Sequence, residues 1–83
     1  MIVKLRYFAS IREAIGASSE SADTKAATLG ALREELIARG GAYAEALALG
    51  RAVRVALNQT MSDEAAALTE GAEVGFFPPV TGG

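Results

Sequence analysis

The sequence predicts a small α+β domain, a mixed sheet with one main helix laid across a single face. Three observations predict it. Apolar residues alternate with polar ones at Val3, Leu5 and Tyr7 and again at Val53, Val55 and Leu57, the period of half-buried strands. Between them Leu29, Leu32, Leu36 and Ile37 recur at helical spacing. The order strand, short helix, strand, helix, two strands, strand leaves the apolar first and last strands to pair at the centre. They would run parallel, with the rest of the chain as their crossover.

Residues 2–8 form the first strand, with Val3, Leu5 and Tyr7 on one face and Lys4, Arg6 and Phe8 on the other. Ser10 followed by Glu13 has capping-box spacing and predicts a helix with Ile11, Ala14 and Ile15 as its stripe, stopped by Gly16. Residues 17–27 carry the weakest pattern. A short edge strand is expected at 21–24, where Thr24 is the one good strand former. Thr28 is placed to cap the main helix, residues 29–39, which Gly40-Gly41 ends. The alanine-rich stretch 42–49 reads as a helix or a loosely packed turn. Residues 51–57 alternate again, Asn58-Gln59 is a tight turn, and Thr60-Met61-Ser62 is a brief return strand. One helical turn is expected at 65–68. Glu70-Gly71-Ala72 then turns the chain into the last strand, residues 73–77. Residues 1–79 are thus one domain, and residues 80–83 a flexible tail ending in Gly-Gly.

Composition narrows function mainly by exclusion. The 83 residues are 51% hydrophobic, enough for one core, although a domain of this size is marginally stable. A net charge of −2 without basic clusters disfavours nucleic-acid binding. No apolar run approaches the ~20 residues of a membrane span, and the charged first segment is no secretory signal, so a cytoplasmic location is expected. The chain has neither cysteine nor histidine. Thiolate nucleophiles, Cys/His metal sites and histidine general bases are therefore excluded. The scatter of the 10 acidic residues argues against a carboxylate metal site, so no metal is expected and no self-contained catalytic centre.

What remains is the chain end, Pro78-Pro79-Val80-Thr81-Gly82-Gly83, leaving an apolar strand. The prolines fix φ and set the direction in which the tail leaves. Gly82 and Gly83 carry no Cβ and can thread a channel that any side chain would block. The four residues beyond Pro79 reach roughly 13–14 Å at full stretch. The reactive group at the tip would be the α-carboxylate of Gly83. A carboxylate resists nucleophilic attack until it is adenylated, and adenylation requires insertion into another protein's active site. Ordering four residues costs roughly 4–8 kcal/mol, which docking of the folded body must offset.

Strand parity locates the docking face. If Val74 and Phe76 point inward, Gly75 and Phe77 point outward, on the side that also carries Lys4, Arg6 and Phe8. Phe8, Phe77 and Met61 would form an exposed apolar cluster beside the tail, with Arg12 as a polar rim. Plainer readings stay open. The terminal Gly-Gly could be simple disorder, Phe76 and Phe77 could both be core if something covers the second sheet face, and the arginines could be solvated charge.

The stretch Glu73-Val74-Gly75-Phe76-Phe77-Pro78-Pro79-Val80-Thr81-Gly82-Gly83 resembles the C-terminus of the molybdopterin synthase small subunits, a family of ubiquitin-like sulfur carriers. The opening run from Val3 to Glu13 and the segment Val55-Ala56-Leu57-Asn58-Gln59 are similar to that family's first strand and helix and its central hairpin. The resemblance implies a β-grasp fold and a two-partner cycle. An ATP- and Mg-dependent adenylating, E1-like enzyme would activate Gly83, and a sulfur donor would convert it to a thiocarboxylate. The tail (Pro78, Pro79, Val80, Thr81, Gly82) would then enter the large synthase subunit and deliver sulfur to cyclic pyranopterin monophosphate. This chain itself would bind no cofactor. It departs from the family pattern at Ala72 and Gly75, where Asp and Ala are usual, and Gly75 is expected to cost strand packing. Alternatives are a sulfur carrier for thiamine or tRNA thiolation, a ubiquitin-like modifier that forms isopeptide bonds, and a binding module with an inert tail.

Overall fold

The structure is a computed structural model and describes residues 1–79. In chain order the elements are β1 (Ile2–Tyr7), α1 (Ala9–Ile15), β2 (Ser19–Asp23), α2 (Leu29–Ala38), α3 (Gly41–Leu47), β3 (Arg54–Leu57), β4 (Thr60–Ser62) and β5 (Glu73–Phe77). The five strands form one sheet in the order β2-β1-β5-β3-β4. β1 and β5 are parallel neighbours, and every other pairing is antiparallel. The expected mixed sheet with its terminal strands paired is therefore present, and the arrangement is the β-grasp.

The core lies between one sheet face and the helices. Val3, Leu5 and Tyr7 of β1, Val55 of β3 and Val74 and Phe76 of β5 meet Leu29, Leu32 and Leu36 of α2 there. Thr28 caps α2 as expected, its hydroxyl accepting from the Ala31 N–H at 3.2 Å. Gly16 ends α1 in the left-handed region at φ 86°, where any other L-residue would be strained.

Four expectations need correction. Ser10 does not cap α1. The β1–β5 ladder runs one step past the strand, with the Phe8 N–H donating to the Phe76 carbonyl at 3.1 Å, and the Phe8 carbonyl already accepts from Ile11 and Arg12. Phe8 is thus the N-cap and Ser10 lies inside the first turn, where a capping box cannot form. Residues 65–68 are not helical. Ala67 makes an antiparallel bridge to Thr28, and the Leu68 N–H donates to the Ala27 carbonyl at 2.9 Å, satisfying backbone at the entrance to α2. The edge strand β2 runs over Ser19–Asp23 and leaves out Thr24, whose hydroxyl bonds Glu35 instead, while residues 41–47 take the helical one of their two readings and pack on α1 and α2. Finally, β3 begins at Arg54, because the turn before it is tied down by a buried arginine.

That arginine is Arg33, only 4% exposed within α2. Its guanidinium donates to the carbonyls of Leu47 (2.7 Å), Ala48 (2.6 Å) and Arg51 (3.1 Å), and it pairs with Glu64. It therefore closes the C-terminal end of α3, whose last carbonyls lack helical partners, and joins three segments. A second polar cluster centres on Glu20, which accepts from Tyr7 Oη (3.0 Å), Tyr43 Oη (2.6 Å) and Arg39 Nη1 (2.9 Å). Burial pushes the Glu20 carboxyl up, but the bonds from Tyr43, Arg39 and Tyr7 outweigh it and hold the carboxyl below its ordinary value. Burial and the same carboxylate raise the Tyr7 phenol, which stays protonated.

Candidate functional site

Every strand of the sheet has a second face, away from the helices, and β5 organises it. Val74 and Phe76 are wholly buried on the core side, Phe76 stacked on Tyr7 with ring centroids 6.1 Å apart. Gly75 and Phe77 face the other way. Directly paired residues share a face, so the register Arg6↔Gly75, Gly75↔Ala56 and Ala56↔Met61 draws one row across the sheet. Phe77 pairs with Arg54 in the next row, and Glu73 with Lys4 on the other side.

Phe8 and Phe77 come together on this open face, edge to face at 5.9 Å and 89°. The Arg6 guanidinium stands 5.8 Å from the Phe8 ring centre. Phe8 is 41% exposed and Met61 53% exposed, although both are large apolar side chains. Phe8 and Phe77 meet on the open face as expected, whereas Met61 shares that face but lies on β4, with β3 between it and the two rings. Phe77 is half-buried, because Phe8 covers part of it. Arg12 lies exposed on α1, one helical turn beyond Phe8.

The rim is more basic than the sequence reading foresaw. Lys4, Arg6 and Arg54 are exposed around the apolar patch, with Glu73 half-buried opposite Lys4 and with Asp63 and Glu64 near Arg54 and Met61. Arg54 went unremarked, yet applying strand parity to β3 as well as β1 would have found it. Such a surface suits a partner with an apolar knob and an acidic margin.

Past Phe77 the chain leaves the sheet through Pro78 and Pro79, both half-buried. Pro78 lines a cleft of about 150 Å³ with Ser10, Ile11 and Ala14 of α1 and Arg51. The base of the tail thus lies against α1, α3 and the turn before β3, one residue beyond Phe77. Val80, Thr81, Gly82 and Gly83, the expected insertion segment and reactive end, lie outside the described residues. Among the described residues no cluster of carboxylates is placed to hold a metal ion, and no helix is long and apolar enough to cross a membrane.

With this geometry in place, comparison with known proteins is decisive. Residues 5–83 match the ThiS family. The chain belongs to that family. Across 99% of its length it is 40% identical to the molybdopterin synthase sulfur carrier subunit of Haemophilus influenzae and 39% identical to that of Escherichia coli, each matched over its whole length. Among solved structures, the complex of subunits 1 and 2 of the molybdopterin-converting factor from Helicobacter pylori contains a chain of the same fold. It superposes with a TM-score of 0.68 at 30% identity, with both chains fully covered.

Proposed function

We propose that this chain is the sulfur carrier subunit of a molybdopterin synthase. The observation that carries the reading is the full-length likeness to two such subunits, whose name fits a chain with no cysteine to carry sulfur on a side chain. The fold supplies a reason for each remaining feature. β5 is the central strand, paired on both sides, so the two prolines leave from a strand held at both edges and aim the tail. The patch of Phe8, Phe77 and Met61 with its basic rim is the surface that docks the body on a large subunit. The Helicobacter pylori complex of the two subunits supports a partner of that kind.

The chemistry then belongs to the α-carboxyl of Gly83. In the activating partner it attacks the α-phosphorus of ATP, releases pyrophosphate and becomes an acyl adenylate. A donor of sulfide-level sulfur attacks the acyl carbon, AMP leaves, and a thiocarboxylate remains. In the large subunit that sulfur passes to cyclic pyranopterin monophosphate, and water returns the carboxylate. The body contributes no reacting group; it holds the tail at the partner's site, so that transfer proceeds within a bound complex.

Two measurements test the reading. Intact mass spectrometry of the protein from its native host should show a fraction heavier by the difference between sulfur and oxygen, mapped to Gly83. The gene should also restore a molybdenum-cofactor-deficient strain that lacks its small subunit. Rescue of a thiamine or tRNA-thiolation defect alone would assign a different pathway, and stable high-mass conjugates on denaturing gels would assign a protein modifier.

A further inference from the structure

Gly75 sits at the middle of the central strand, where a glycine has no obvious use. Its backbone is ordinary extended chain, outside the left-handed region that calls for glycine. It lies on the open face, between Arg6 on β1 and Ala56 on β3, and yet is itself buried. The residue that covers it is Phe8. A Cβ built at position 75 would lie 3.2 Å from Phe8 Cε2, closer than such contacts ordinarily come, and 3.8 and 3.9 Å from Ala56 Cβ and Phe77 Cε1. The space a side chain would take is the space the Phe8 ring uses.

We propose that Gly75, where the family pattern has alanine, is a positioning residue for the docking face particular to this chain: its missing side chain lets Phe8 settle onto the β5 backbone, and this sets the shape that this chain's own large subunit reads. The inference deepens the function proposed above and rests on it for the identity of the partner. Three contacts fix the ring. Gly75 lies beneath it, Phe77 meets it edge to face, and the Arg6 guanidinium approaches it at 5.8 Å. A methyl group at position 75 lifts the ring by a few tenths of an ångström or turns it aside. Phe8 is exposed and free to yield, so the domain absorbs the change while the patch alters shape. Stability and binding therefore respond in opposite senses. Glycine is a poorer strand residue than alanine, and a Cβ here adds packing once the ring has moved.

The experiment is a double-mutant cycle read by affinity for the large subunit and by thermal unfolding. Gly75→Ala should keep or raise Tm and weaken binding roughly three- to tenfold, the factor expected from disturbing one aromatic pair. In a Phe8→Ala background the same substitution should leave affinity unchanged, because there is no ring to lift. Wild-type affinity in Gly75→Ala, or an equal loss in both backgrounds, overturns the proposal. A second readout needs no partner: Gly75→Ala should change the nuclear Overhauser contacts between the Phe8 and Phe77 rings, and unchanged ring contacts overturn the proposal as well. Should the wild-type chain fail to bind the large subunit, the function proposed above fails, and the ring contacts still decide whether Gly75 seats Phe8.

Discussion

Phe76 and Phe77 are identical side chains on consecutive residues of β5, and their surroundings are opposite. Phe76 is wholly buried and stacked on Tyr7, in the layer filled by Leu29, Leu32 and Leu36. Phe77 is half-buried on the far face, with Phe8 edge to face against it, Arg54 paired to it on β3 and Gly75 two residues before it on the same face. Strand alternation thus divides one segment between two tasks. The inward set holds the domain together. The outward set, with Lys4, Arg6 and Arg54 around it, lies outside that core and is the face proposed above to dock a partner.

That contrast gives graded expectations. Phe76→Ala should be the most damaging, costing about 3–5 kcal/mol by denaturant unfolding, because it opens a cavity against Tyr7 and the α2 leucines. A loss below about 1 kcal/mol would break the division just drawn. Arg33→Ala comes next, at about 2–3 kcal/mol, since it strands the carbonyls of Leu47, Ala48 and Arg51 that the guanidinium now satisfies.

Glu20→Gln should cost about 1–2 kcal/mol at neutral pH, the worth of weakened bonds from Tyr43, Arg39 and Tyr7. Its pH dependence has a definite sign. The carboxyl of Glu20 is held below its ordinary value in the folded state, so its contribution is complete above the ordinary glutamate range and is lost as pH falls through the lowered folded value. Wild type and Glu20→Gln should therefore converge in stability in acid and diverge toward neutrality, and parallel stability–pH curves would contradict this. Phe77→Ala has the smallest effect on folding, within about 1 kcal/mol. It should nevertheless weaken large-subunit affinity about tenfold or more, as a central aromatic contact does. A large stability loss with intact binding would reverse the roles assigned to the two phenylalanines.

Much of this was legible in the sequence because it depends on short-range patterns. Period-two alternation placed Val3, Leu5 and Tyr7 inside and put Phe8 with Phe77 outside, and the Thr28 cap followed from local chemistry. The misreadings share one cause, which is that distant segments competed for backbone hydrogen bonds. Ser10 lost its capping role to the Phe8–Phe76 ladder contact, and residues 65–68 became extended to satisfy Ala27 and Thr28. Arg33 falls within the leucine stripe of α2 and reads as a surface charge, because the carbonyls it serves lie 14 to 18 residues further along the chain. Gly75 looked like a packing cost, since nothing in the local sequence indicates that Phe8 would occupy its vacant side-chain position. Parity alone put Phe8, Phe77, Lys4 and Arg6 on the open face, and carried to β3 it would have added Arg54.

The central claim is that the folded body and the reacting chain end are separable. Deleting Gly83 and measuring thermal unfolding and sulfur transfer to the pterin on the same sample tests it most directly. The expected result is an unchanged Tm and no transfer. Transfer that persists without Gly83, or a truncated protein that unfolds, would contradict it.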